Sequence, residues 1–66
     1  METTFAGRLK QLRKLKGWSQ YTLAKKAGVS RSTVKLWELE ACEPRMQKLK
    51  RLAEVFGVSV DFISGN

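Results

Sequence analysis

Residues 19–39 read SQYTLAKKAGVSRSTVKLWEL, and the fold is decided there. Gly28 divides the stretch into two short segments, each preceded by a serine: Ser19 ahead of Gln20–Ala27, and Ser30 ahead of Arg31–Leu39. A serine hydroxyl in that position accepts an N–H from the first helical turn, so both segments are predicted to be helices. Leu23, Ala24 and Ala27 fall on the inward face of the first, and Val34 and Trp37 on that of the second. Gly28, Val29 and Ser30 alone separate them, so the two helices must cross at a wide angle over a tight turn. Ala24 is small enough to let the second helix approach, and Gly28 permits a positive φ at the corner. Arg31, Ser32, Lys35 and Leu36 are left on the outward face of the second helix.

The flanking sequence is also helical in period. A first helix is expected from about Thr4 to Lys16, with Thr3 or Thr4 as N-cap and Phe5, Leu9 and Leu12 as its buried stripe. Leu15 falls off that stripe, and Gly17 closes the helix in the left-handed conformation that glycine adopts at least cost. A fourth helix is expected around Pro44, placed in a first turn where its missing N–H is no loss, with Met46, Leu49, Leu52, Ala53 and Phe56 inward. Gly57 ends it. Ser59 opens a last short helix, Val60 to Ile63, with Phe62 as core anchor, and residues from Ser64 to Asn66 are expected to fray. The expected fold is all-α, a five-helix bundle forming one domain over residues 1–66.

Composition narrows the function. Thirteen Lys and Arg against six Asp and Glu give the chain a net charge of +7 and an isoelectric point near 10.1. Such a field attracts polyanions, nucleic acid or an anionic membrane surface, although a basic surface can also serve solubility alone. The bases are patterned: Arg8, Lys10, Arg13, Lys14 and Lys16 crowd one stretch without an acid, whereas Glu38, Glu40 and Glu43 crowd another without a base. No apolar run approaches the ~20 residues that span a bilayer, and no signal peptide precedes the first helix, so a soluble, cytoplasmic protein is expected. The single Cys42 excludes an internal disulfide and reads as an inert loop residue. There is no histidine, no metal-ligand spacing, no phosphate loop and no nucleophile motif. Binding is expected rather than catalysis, with no cofactor and no small-molecule substrate.

With these residues in view, the stretch from Ser19-Gln20 through Trp37-Glu38, then Glu43-Pro44 and Phe56-Gly57-Val58-Ser59, resembles the lambda-repressor/Cro-like helix-turn-helix family of bacterial and phage transcriptional regulators. The resemblance extends from about Phe5 to Ile63. It implies that Gln20 contacts DNA backbone and braces the recognition helix, with Ser19 near phosphate. It places Ser30, Arg31 and Ser32 among the base-reading residues, flanked by Thr33 and Lys35, and Arg45 at a phosphate. It also pairs Arg13 with Glu38 in a partly buried ion pair.

Several residues stay open on sequence alone. Arg31 suits the fork of acceptors on a guanine edge, or else clamps a phosphate. Leu36 touches a thymine methyl or, if the helix is rotated, packs in the core. Trp37 has core spacing, Trp18 reads as a partly buried staple for the second helix, and Tyr21 is either a surface aromatic or a partial core cover. In the loop after Glu38 the sequence departs from the family, which places a glycine and basic residues there. Glu40 stands in the glycine's place, Leu39 adds an exposed apolar group, and no base lies between Lys35 and Arg45. Either backbone contact is weakened, or other bases such as Lys25, Lys26 or Lys48 replace it. The expected function is sequence-specific double-stranded DNA binding by a transcriptional regulator, a repressor, acting as a homodimer on a pseudo-palindromic operator. The alternative is an antitoxin-type protein-interaction module that also binds its own promoter.

Overall fold

Local hydrogen bonds at the helix ends decide where each element starts and stops. The computed structural model describes residues 4–64 as five α-helices: α1 (Phe5–Leu15), α2 (Gln20–Ala27), α3 (Arg31–Glu38), α4 (Met46–Phe56) and α5 (Val60–Ser64). The Thr4 hydroxyl accepts from the Gly7 N–H at 3.1 Å, Ser19 from Thr22 at 3.0 Å, and Ser30 from Thr33 at 3.2 Å. Ser59 accepts from Phe62 at 3.0 Å. Each bond satisfies a first-turn N–H that has no partner within the helix. Thr3, the alternative first cap, lies outside the described residues.

The five helices close around one core. Leu9, Leu23, Val34, Leu52 and Ile63 are fully buried, and Phe5, Ala24, Ala27, Trp37, Ala53 and Phe56 complete the cluster. Phe5 meets Trp37 edge to face at 6.4 Å between centroids. Trp18 is half-buried and stacks on Phe56 at 5.4 Å, which staples the start of α2 to α4 as expected. Among the described residues no helix is long and apolar enough to cross a membrane.

Four expectations need correction. Pro44 is not in the first turn of α4: Arg45 is extended, with ψ 164°, and the helix starts one residue later with no side-chain cap. Met46 therefore opens that first turn, before the inward stripe of Leu49, Leu52, Ala53 and Phe56 begins, and it is exposed rather than buried. In α5 the anchor is Ile63, not Phe62. Val60 and Ile63, three apart, share the inward face, which turns Phe62 outward, where the Arg8 guanidinium lies 4.7 Å from its ring centroid. Ser64 does not fray: it ends α5, and its hydroxyl donates to the Asp61 carbonyl at 3.0 Å. Gly65 and Asn66 lie outside the described residues.

The helix exits share one device. After α1, α2 and α4 a glycine stands at positive φ, and the next N–H reaches back five residues: Trp18 to the Arg13 carbonyl at 3.1 Å, Val29 to Ala24 at 3.0 Å, Val58 to Ala53 at 3.0 Å. This is the Schellman stop, in which left-handed backbone brings two donors onto orphan carbonyls. α3 ends the same way without a glycine. Glu40 sits at φ 61°, its N–H donates to the Trp37 carbonyl at 3.2 Å, and Ala41 donates to Leu36 at 3.0 Å. The hydrogen bonds are those a glycine would make, and the side chain adds only the strain of a Cβ in left-handed backbone, about 1–2 kcal/mol. Glu40→Gly is expected to stabilise the domain by about 1 kcal/mol, net of the entropy glycine adds to the unfolded chain, raising the melting temperature by about 4–8 °C. Glu40→Ala removes the same charge but keeps the strain, and calorimetry should show no such gain.

Candidate nucleic-acid interface

The outward face of α3 is available only because its inward face is held from three sides. Val34 and Trp37 bury one side of the helix. Ala24, 2% exposed, leaves room for α3 to close on α2, and Gly28, at φ 74°, turns the chain between them.

The third hold is polar. Glu38 lies on α3, with its side chain 3% exposed, and a carboxylate so placed must be paired. Arg13 of α1 supplies two bonds, Nε to Oε2 at 2.6 Å and Nη2 to Oε1 at 3.0 Å, in the fork geometry that matches a carboxylate. The remaining Arg13 nitrogen, Nη1, donates to the Trp18 carbonyl at 2.9 Å, tying down the α1–α2 turn. Gln20, the first residue of α2, donates its amide Nε2 to Glu38 Oε1 at 3.1 Å. One buried carboxylate thus fixes α1, α2 and α3 relative to each other. The pairing expected for Arg13 and Glu38, and the brace expected of Gln20, are both present.

The remaining expected residues distribute as follows. Arg31, Ser32, Lys35 and Leu36 are all exposed on α3. Leu36, 45% exposed, is not core, which removes the rotated-helix alternative. Ser30 and Thr33 have their hydroxyls 2.9 Å apart and jointly close the α3 N-terminus, so they act first as caps. Ser19 does the same for α2, 3.1 Å from the Thr22 hydroxyl. Arg45 is exposed and stands as the N-cap of α4, away from the residues of α3 in sequence but with no capping bond from its side chain. Tyr21 is a surface aromatic, 58% exposed, with the Lys25 ammonium 5.4 Å from its ring. Leu39 is exposed, as expected.

Two residues that the sequence shows only as members of a basic run join this surface. Lys10 and Lys14 of α1 line a shallow notch of about 280 Å³ together with Arg13, Gln20, Lys35 and Glu38. Their i, i+4 spacing astride Arg13 is the signal that could find them, once Arg13 is assigned to Glu38.

Removing one member of the buried pair leaves a charge without its partner. Glu38→Gln is expected to cost about 3–5 kcal/mol in urea unfolding. The double change Arg13→Met with Glu38→Leu, which strands no charge, should recover most of that loss. A single variant as stable as the parent would show that Glu38 is not the hub of these helices.

Comparison with known proteins agrees with this geometry. The helix-turn-helix family profile matches residues 9–63. Among curated proteins, the SPbeta prophage-derived HTH-type transcriptional regulator YonR of Bacillus subtilis strain 168 is 37% identical over 59 residues, which cover 89% of this chain and 55% of YonR. The HTH-type transcriptional regulator YobD of the same organism is 39% identical over 61 residues, covering 92% of this chain and 54% of YobD. The chain spans about half the length of these relatives. Among solved structures, the P22 c2 repressor in complex with synthetic operator 9T superposes with a TM-score of 0.89 at 28% identity, covering 96% of this chain and 97% of that one. The solution structure of the P22 c2 DNA-binding domain gives the same TM-score and identity, covering 100% of this chain and 88% of that one. The paired helices α2 and α3, the buried ion pair that joins α1 to α3 and these matches agree: the chain belongs to the helix-turn-helix family.

Proposed function

We propose that this chain is the DNA-binding part of a transcriptional repressor, inserting α3 into the major groove of a specific double-stranded operator. The observation that carries the reading is the exposed row Arg31, Ser32, Lys35 and Leu36 on a helix whose opposite face is fully anchored. A reading helix needs side chains free to reach base edges and a mounting that does not move when they do. The P22 c2 repressor, crystallised with a synthetic operator, shares this fold at 28% identity over nearly the whole chain.

In this reading Arg31 forks onto guanine O6 and N7, Ser32 reads an adjacent edge, and Leu36 lies against a thymine methyl. Lys35 and Arg45 meet phosphates. Gln20 keeps a second amide hydrogen for a backbone oxygen, since an NH₂ group donates twice and Glu38 takes one. Ser19, Ser30 and Thr33 sit at helix N-termini, where capped turns present backbone N–H groups to phosphate. One such helix reads too few base pairs for useful discrimination, so two copies bind half-sites about 34–36 Å apart on a pseudo-palindrome. Both curated relatives are transcriptional regulators, and nothing in the structure favours the antitoxin-type alternative.

Selection of bound sequences from a random duplex pool tests the proposal: a recurrent motif with two-fold symmetry is expected, and enrichment of no motif would reject it. With the selected operator, Arg31→Ala is expected to relax the preference at one base pair of each half-site and to cost about 1–3 kcal/mol. Equal weakening on every sequence would instead make Arg31 a phosphate clamp.

A further inference from the structure

The loop between α3 and α4 brings acid, not base, to the end of α3: Glu40 and Glu43, with no Lys or Arg from Glu38 to Pro44. The cationic charge beside α3 comes from α1. Lys10 and Lys14 stand one turn apart there and line the same notch as Gln20 and Lys35. Arg13 adds no net charge to this notch, because Glu38 takes its guanidinium in a bidentate pair. The three ammonium groups of Lys10, Lys14 and Lys35 remain, all exposed, and among the described residues none lies in an ion pair. The free amide hydrogen of Gln20 opens onto the same place.

None of the other lysines that could compensate for the acidic loop lines this notch. Lys26 lies 4.8 Å from the Trp18 ring centroid and borders a depression shared with Arg51 and Glu54 of α4. Lys25 covers Tyr21, and Lys48 is half-buried on α4.

We infer that Lys10 and Lys14 form a backbone clamp for the DNA strand beside the groove that α3 enters, holding two consecutive phosphates at the notch between α1, Gln20 and Lys35. The inference rests on the DNA-binding reading and adds to it two contacts from an element outside the helix-turn-helix. Lysine suits such a clamp, being a point charge on a flexible stem and indifferent to base identity. The clamp therefore raises affinity for all duplexes alike and leaves the choice among them to α3.

The test compares the parent chain, the double variant Lys10→Gln/Lys14→Gln and the control Lys26→Gln, titrated with an unselected duplex pool and with the selected operator. Two neutralised phosphates contribute about −1.8 to the slope of log affinity against log salt. Between about 50 and 200 mM salt the parent and the control should thus lose about 12-fold more affinity than the double variant. The ratio of operator to pool affinity should be the same in all three proteins. An unchanged slope in the double variant, with the parent binding duplex DNA normally, overturns the clamp and leaves the regulator reading intact. A changed operator preference also overturns it, since the lysines would then be reading bases. A parent protein with no salt-dependent duplex binding overturns both. All three side chains changed are exposed, so melting temperatures close to the parent are expected and confirm that binding, not folding, is being measured.

Discussion

A carboxylate placed inside a protein this small sets terms for everything around it. Glu38 is held away from water on α3, and an unpaired charge there would cost several kcal/mol, a large part of what a domain of this size has in total. The pairing demands donors from specific places, and they come from α1 and from the first residue of α2. The hydrophobic drive that buries Trp37 and Val34 is non-directional. A bidentate arginine bond is directional, because both N–H vectors must meet both oxygens. Replacing the pair with apolar groups of similar volume need not weaken the fold, so its contribution is better described as setting orientation than as adding stability.

The turn chemistry serves the same end. Gly17 and the Trp18 N–H close α1, and the Trp18 carbonyl then receives Arg13, so one stop positions the donor that Glu38 needs. Gly28 closes α2 and delivers Val29 and Ser30 to the start of α3. At the exit of α3 the same hydrogen bonds are drawn through Glu40, a residue ill-suited to left-handed backbone. The motif is thus dictated by the need of the last carbonyls of α3 for donors, and residue preference is overridden where the two conflict. Local strain falls at the edge of the candidate interface and not within the core.

Much of this is legible in the sequence because its signals are local. Serine or threonine before an apolar-periodic segment and glycine after it locate α1 and α2 to within a residue at each end, and Ser30 locates the start of α3, each bond involving neighbours along the chain. The misreadings fall where local signals run out. A five-residue helix is too short for its period to assign a face, so size alone favours Phe62 over Ile63, and wrongly. Pro44 marks a helix start without specifying its phase: the helix opens two residues later, at Met46, whose side chain is exposed. In the sequence Glu40 stands out for its charge and for taking the place of the family's glycine, but its left-handed conformation is fixed by carbonyls of α3 that only the folded chain brings to it. Lys10 and Lys14 are likewise lost within a basic run, because which face of α1 adjoins α3 depends on a contact between residues 25 apart, Arg13 and Glu38.

That contact also links the two roles proposed for this surface. On that reading, base recognition resides on α3, and a large share of the electrostatic grip resides on α1, the helix joined to α3 through Arg13 and Glu38. Phosphate contacts set where along the duplex a protein sits, and base contacts can be made only if that register places each side chain opposite its edge. A grip mounted on a flexible loop would let the two slide relative to each other. Mounted on α1, the grip is tied to the reader by the bidentate Arg13–Glu38 pair, with Gln20 touching the same carboxylate from the α2 side. With the charged notch and α3 joined through one carboxylate, misregister at the phosphates is on that reading felt as misfit at the bases.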